Sequence, residues 1–279
     1  MKNNKKQTAR MKSGFVIFDL LTGGYPAGTV TVLRTIGGDI DEACLQRFME
    51  RQVLRMSLPE PCGMNKSVLL LSLGMDSETV AKSLFLENNL YSHGPIMKAN
   101  LMVSSSQNIE QKSLKAVRED ILSTIREYVS DSKCDCVVID DIGKALPAAI
   151  DSEVGLDFSA DLAALAIDAG VTIIVTDYEN KWETPWDMTG DYTGCMDICV
   201  NEDVRGRTQM EVHSGKTAVT IEDVYGVETE AGLEMLRMMM EKRKNADKEP
   251  FAVNDEAEAL ALSAALLVEK INDIFNNPN

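Results

Sequence analysis

The sequence predicts an α/β fold, a mostly parallel sheet flanked by helices with a C-terminal helical extension, and three observations predict it. Residues 13–44, SGFVIFDLLTGGYPAGTVTVLRTIGGDIDEAC, pass from a loop rich in turn formers into an apolar run, then into a second glycine turn at Gly37 and Gly38, then into helical spacing. Strand, glycine turn and helix in that order are the setting in which backbone N–H groups and a helix N-terminus cradle phosphate. Residues 67–73 form a continuous apolar run, as expected of a parallel strand buried on both faces. Helical patterns alternate with such runs along the first two thirds of the chain. At 279 residues the chain is long enough for a full α/β core, and 44% hydrophobic with 26% charged residues describes an ordinary globular composition.

Residues 1–12 read as a flexible basic arm carrying Lys2, Lys5, Lys6, Arg10 and Lys12. The turn-rich loop Thr22 to Gly28 precedes the first core strand, 29–34. Ala43 to Met56 has helical spacing in Cys44, Leu45, Phe48, Met49, Val53 and Leu54, and Pro59, Pro61 and Gly63 end it. Strand 67–73 follows, then a helix from Asp76 to Leu86 with Asp76 or Ser77 as its N-cap. Turn formers across 88–107 frame a short strand at 99–103. A helix over 109–129 carries Leu114, Val117, Ile121, Ile125 and Tyr128 at spacings of three and four. The central strand, 134–139, ends in Asp140 and Asp141. A short Ala-rich helix at 162–169 and Gly170 lead into strand 171–176, tipped by Asp177.

Residues 181–195 read as a loop in which Trp182 and Trp186 stand beside Glu183, Asp187 and Asp191. Aromatic residues in an acidic setting suit a protein partner better than DNA. Hairpin-like strands are expected at 196–203, 208–214 and 217–224. The stretch 214-SGKT-217 spells the end of a phosphate-binding motif, but Met210 stands where the motif needs glycine and a strand pattern follows where it needs a helix, so it reads as a hairpin turn. Residues 226–279 hold two helical patterns joined by the stretch KRKNADKEP. In the second, 255–275, the residues Leu260, Ala264, Leu267, Ile271 and Ile274 recur at spacings of four and three, a stripe suited to docking. Packing on its own domain and clipping onto a neighbour or another protein are both open to such a stripe.

The order of these segments resembles the RecA-like motor domain of the DnaB family of replicative helicases over residues 13–225. Ser13, Gly14, Phe15, Phe18, Asp19, Leu21, Thr22, Gly24 and Gly28 fill the places of the family's opening segment. The stretches 71-LSLGM-75, Val137 to Asp140 and 171-VTIIVTDYEN-180 follow in the family's order. The resemblance implies a RecA-like P-loop NTPase fold. At the chemical positions the chain departs from it. The family's G-K-T falls on Ile40, Asp41 and Glu42, so an acid stands for the phosphate-binding Lys and another for the Mg²⁺-binding hydroxyl, with Asp39 adding a third. Gly74 stands for the general base and Asp177 for the γ-phosphate sensor. The segment that would bring an arginine finger, near Glu211 to Ser214, has no arginine. Asp140 is the one matched Walker B carboxylate, and a loop-ordering role is the favoured reading of it.

Carboxylates in the first turn of a helix are favourable by a few tenths to about 1 kcal/mol. Two like charges about 4 Å apart repel by about 4 kcal/mol at an effective dielectric near 20. The degenerate P-loop Gly37, Gly38, Asp39, Ile40, Asp41 and Glu42 is therefore expected to reject a triphosphate, and no cofactor is expected. The net charge of −16 argues against autonomous DNA binding, the arm being the one basic cluster. Neither a leader peptide nor a membrane span is expected, which implies a cytoplasmic protein. The six cysteines and two histidines lack metal-ligand spacing and read as reduced thiols and solvated or core imidazoles.

The leading expectation is a catalytically inactive pseudo-ATPase that acts through protein association in DNA replication or recombination, as a monomer or dimer. Its partner would be a replicative helicase or a second copy, with Trp182, Trp186, Leu260, Leu267, Ile271 and Ile274 as contact candidates. The alternative is a divergent ATP-dependent DNA helicase or ATPase whose site for ATP and Mg²⁺ is rebuilt with Lys144 or Lys216. A third reading is a DNA-binding accessory subunit that uses the N-terminal arm.

Overall fold

The chain begins with a clasp. In a computed structural model, which describes residues 10–35, 39–106, 112–131, 134–145, 152–178, 196–214 and 217–225, strand β1 (Arg10–Met11) pairs antiparallel with β2 (Tyr25–Pro26) around helix α1 (Val16–Thr22). The start of α1 has no polar side chain at its N-cap, Phe15. Ser13 Oγ accepts instead from the N–H of Phe15 at 3.0 Å, and the Asp19 carboxylate in the first turn reaches back to accept from the N–H groups of Ser13 and Gly14, just ahead of the helix, at 2.7 and 3.2 Å. At the other end Thr22 Oγ1 accepts from the N–H of Gly24. The Arg10 guanidinium donates to the carbonyls of Thr22 and Gly24 at 2.7 and 2.9 Å.

The sequence reading passed over one element: a helix occupies 16–22, ahead of the turn residues. Arg10, read there as part of a basic arm, satisfies carbonyls left over at the C-terminal end of α1, a use that composition does not reveal.

The remaining elements are β3 (Val30–Arg34), α2 (Asp39–Ser57), β4 (Val68–Ser72), α3 (Ser77–Glu87), β5 (Leu101–Ser105), α4 (Leu114–Asp131), β6 (Cys136–Asp140), α5 (Ser152–Ala169), β7 (Thr172–Asp177), β8 (Met196–Glu202), β9 (Thr208–Ser214) and β10 (Thr217–Ile221). One eight-stranded sheet runs in the order β10-β9-β8-β3-β7-β6-β4-β5. From β8 to β5 every pairing is parallel, and β9 and β10 extend the sheet by antiparallel pairing. The fold is thus the expected mostly parallel α/β sheet with helices on both faces.

Each face has its own core. Leu33, Leu70, Val138 and Ile174 point toward α1, α2 and α3, whereas Val32, Leu71, Ile139 and Val175 point toward α4 and α5. Alternation along strands covered on both sides explains why 67–73 reads as an unbroken apolar run. The Asp76 cap holds α3 as expected, accepting from the N–H groups of Glu78 and Thr79 at 3.0 and 2.9 Å. Elsewhere the edges move. β5 lies two residues later than expected, α4 begins at Leu114 behind Ser113, and α5 begins at Ser152, well ahead of Leu162. Ser214 sits opposite Thr217, so SGKT is the hairpin between β9 and β10.

Gly24 is the tightest point of the clasp. Its φ is +95°, and a Cβ there would sit 2.3 Å from the carbonyl oxygen of Met11. Gly24→Ala is therefore expected to destabilise the fold by about 1–3 kcal/mol, read as a lower urea midpoint with an unchanged slope.

Candidate functional site

In an open parallel sheet, ligands bind beyond the C-terminal ends of the strands. Here the ends of β3, β4, β6 and β7 bring together the segments singled out from the sequence, and each can be followed to its side chain.

Asp140, at the tip of β6, is only 2% exposed. Its Oδ1 accepts from Thr176 Oγ1 at 2.8 Å and from the Tyr178 hydroxyl at 3.0 Å. Thr176 Oγ1 in turn accepts from the N–H of Asp141 at 2.8 Å, so a chain of hydrogen bonds ties β6 to β7. Burial pushes the Asp140 carboxyl above its ordinary 3.8; the donors Thr176, Tyr178 and Ser72 pull it back, and the nearby Glu50 carboxylate raises it further. Glu50 is itself raised by burial, and it accepts from Ser83 Oγ at 2.6 Å and Gln46 Nε2 at 3.2 Å.

Gly74, in the place of the general base, follows the end of β4. A Cβ at this position would lie 2.6 Å from Asp141 Oδ2. Asp141 holds a left-handed conformation, φ 65°, and its carboxylate fills the space that a longer residue at 74 would need. The Lys144 ammonium lies 3.9 Å from that same oxygen, on the 3₁₀ turn Ile142–Ala145.

The first turn of α2 carries Ile40, Asp41 and Glu42. Ile40 is 68% exposed, and Glu42 also faces solvent. Asp41 is half-buried, and its Oδ1 accepts from the backbone N–H of Glu202 at 3.2 Å, which ties the helix start to the end of β8. The Glu202 carboxylate continues the link to Arg47 Nη2 at 2.6 Å. Asp39 opens the helix, while Gly37 and Gly38 lie outside the described residues.

Asp177 is fully buried at the end of β7, directly across from Arg34 of β3. Alternation puts this pair on the α4 and α5 face, opposite to the face on which Asp140 meets Thr176. The structure therefore does not bring Asp177 to Asp140. The β7 group that reaches Asp140 is Thr176, one residue earlier. Glu211 and His213 lie on the exposed face of β9, with Glu211 Oε1 and His213 Nε2 3.0 Å apart. Trp182, Trp186, Leu260, Leu267, Ile271, Ile274 and Lys216 lie outside the described residues.

Ser72, Thr176, Tyr178 and Asp141 were not singled out as site residues from the sequence. Ser72 and Thr176 left a faint signal, a lone hydroxyl at the end of an apolar strand. Cys44, Cys62, Cys134, Cys136 and Cys199 are free thiols, and burial pushes the Cys134 thiol up to about 11, far from a reactive value. Among the described residues, no helix is long and apolar enough to cross a membrane.

The class these elements define is an α/β fold with a mostly parallel, helix-flanked sheet. Among solved structures, the chain is similar to the crystal structure of a KaiC-like protein from the hyperthermophilic archaeon Pyrococcus horikoshii OT3, with a TM-score of 0.48 and 16% sequence identity over 76% of this chain and 90% of that one. Neither a protein-family model nor a curated protein sequence matches the chain.

The raised Asp140 carboxyl has a pH signature. The folded state holds this proton to a higher pH than the unfolded chain does, so from about pH 4 upward the folded state binds more protons and stability falls as pH rises through the folded value. Asp140→Asn keeps an acceptor for Thr176 and Tyr178 and is expected to flatten that fall. Asp140→Ala strands both hydroxyls and should be less stable than Asp140→Asn by about 1–3 kcal/mol, measured by urea unfolding at a series of pH values.

Proposed function

We propose that this protein is a RecA-like relative of the DnaB-family helicases that has given up nucleotide hydrolysis and acts by associating with other proteins in DNA replication or recombination. The observation that carries the reading is at the first turn of α2. Where a motor of this architecture offers Lys and a hydroxyl to a triphosphate, this chain has Asp41 and Glu42, and Asp41 is committed to the backbone of β8 at 3.2 Å.

Phosphoryl transfer depends on positioned cations and hydroxyls around the transferring group, and losing a main one costs several powers of ten in rate. The surroundings of Asp140 support the same reading. Its carboxylate is taken up by Thr176 and Tyr178, and Asp141 Oδ2 lies 2.6 Å from where a Cβ at position 74 would sit, so a water-activating side chain there would have to displace the Asp141 carboxylate. Association is the function that remains for such a surface, with another ring protein or a second copy as the partner.

A second reading draws on Lys144. Its ammonium is half-exposed close to the strand tips, 3.9 Å from the Asp141 carboxylate, and could serve a rebuilt ATP and Mg²⁺ site in a divergent helicase or ATPase. Thermal denaturation with and without ATP and Mg²⁺ separates the two. A ligand at 100 times its Kd stabilises by about 2.7 kcal/mol. The expected result is an unchanged Tm; a rise that disappears in Asp140→Ala or Lys144→Ala would overturn the proposal in favour of the second reading.

A further inference from the structure

Beside the sheet's edge strand runs an apolar groove of about 610 Å³, between α3, the 3₁₀ turn Ile96–Lys98 and β5. Ala81, Leu84, Phe85, Met97, Leu101 and Val103 line it. The side chains around it are unusually bare: Met97 is 93% exposed, Leu86 62% and Phe85 51%, and Leu90 nearby is 77% exposed. An exposed apolar area of this kind marks a surface built to be covered.

We propose that the occupant is this chain's own C-terminal segment, residues 255–275, seated as a helix through the stripe of Leu260, Leu267, Ile271 and Ile274. The inference is independent of the nucleotide-site reading, and it settles the stripe's two open roles in favour of the chain's own domain.

Where the described chain ends supports it. Tyr225 is anchored, with its ring 5.7 Å from that of Tyr91, and the Arg51 guanidinium lies over both rings at 4.6 and 4.2 Å. Arg51 is held in turn by a hydrogen-bonded ion pair with Glu87 at the end of α3. Tyr91 belongs to the helical turn Asn88–Ser92 that continues α3, so it is five residues from Leu86, on the order of 7 Å of helix. The described chain therefore ends beside Tyr91, close to the Leu86 end of the groove.

Reach and charge agree. The 29 residues from 226 to 254 separate the anchor from the stripe, and 29 residues reach about 40 Å even if wholly helical and about 100 Å if extended, ample for a site this close. Such a tether holds the segment at an effective concentration on the order of millimolar, which favours the tethered copy over a second molecule at micromolar concentration. Lys82 lines the groove beside Glu78, with which its exposed ammonium pairs at 2.7 Å, and Lys98 is exposed on the neighbouring 3₁₀ turn; the segment is acidic on balance, with Asp255, Glu256, Glu258, Glu269 and Asp273 against Lys270.

Hydrogen exchange of the full-length protein, followed by mass spectrometry, tests this. Amides of 255–275 should be protected, and protection should fall about tenfold or more in Met97→Asp, in Leu86→Asp and in Leu267→Asp. Met97 and Leu86 are exposed, so their substitution should leave the domain's urea midpoint in place. Leu267→Asp should also speed exchange across 81–86 and 96–103. Unprotected amides at 255–275 in the unsubstituted protein, or protection indifferent to both groove substitutions, would overturn the proposal. Protection that fades on dilution would overturn it in favour of a second copy as the occupant.

Discussion

A carboxylate placed at the end of a strand buried on both faces has to be satisfied by the protein itself, and Asp140 imposes that condition on the layout of the strand tips. Its partners come from the neighbouring strand and the residues just past it. Thr176 ends β7 with a hydroxyl that donates to Asp140 and accepts from Asp141, and Tyr178 closes over the same oxygen. The hydrogen bond from Asp141 holds that residue in its left-handed turn, and its carboxylate then fills the space at Gly74. One buried carboxylate is thus linked to a threonine, a tyrosine, an aspartate in the left-handed region and a glycine, all at or just past the ends of three strands.

The acids at the start of α2 obey a different constraint. They stand where the helix N-terminus is electropositive, so they are favourable there without any ligand. Asp41 adds a directional bond to the N–H of Glu202, and Glu202 links on to Arg47. The helix start is therefore stitched to β8 by the side chain that the sequence resemblance aligns with a phosphate-binding lysine. A group that anchors two elements in this way is poorly suited to swing toward an anion, because moving it gives up both the hydrogen bond and the favourable field.

The sheet was legible in the sequence because a strand covered on both faces must be apolar at every position, and 67–73 and 134–139 are such runs. The helices were legible in their middles and less so at their ends. α5 begins at Ser152, yet Gly155 and Asp157 interrupt the Ala-rich periodicity and hid its first turns. α1 was illegible for a physical reason: no capping side chain stands at its N-cap, Phe15, and the approach to the helix is held by local hydrogen bonds from Ser13 and Gly14 back to Asp19 and from Phe15 to Ser13, which match no standard capping pattern. At the candidate site, the departures of Asp41, Glu42 and Gly74 from the resembled motifs were visible residue by residue, but the contacts made around them were not. The roles of Thr176, Tyr178 and Asp141 depend on which face of β7 meets β6. A shift of one residue in a strand exchanges the two faces, and that shift separates Asp177, read as the sensor, from Thr176, which touches Asp140.

The two ends of the described chain are handled alike, and this bears on how the protein presents its surfaces. At the N-terminus a guanidinium, Arg10, fastens the chain by satisfying the carbonyls at the end of α1. At Tyr225 another guanidinium, Arg51, is stacked between two aromatic rings and paired with Glu87. Cation–π contacts of this kind contribute roughly 0.5–2 kcal/mol each, according to how far they are removed from water. Both fastenings lie on the face built from α1, α2 and α3, the side that also carries the bare groove next to α3. The opposite face is closed over by α4 and α5, with α5 laid along β3 and β7. Among the described residues, the apolar groove thus lies on the same side of the sheet as both fastenings, close to Tyr225, where the described chain ends.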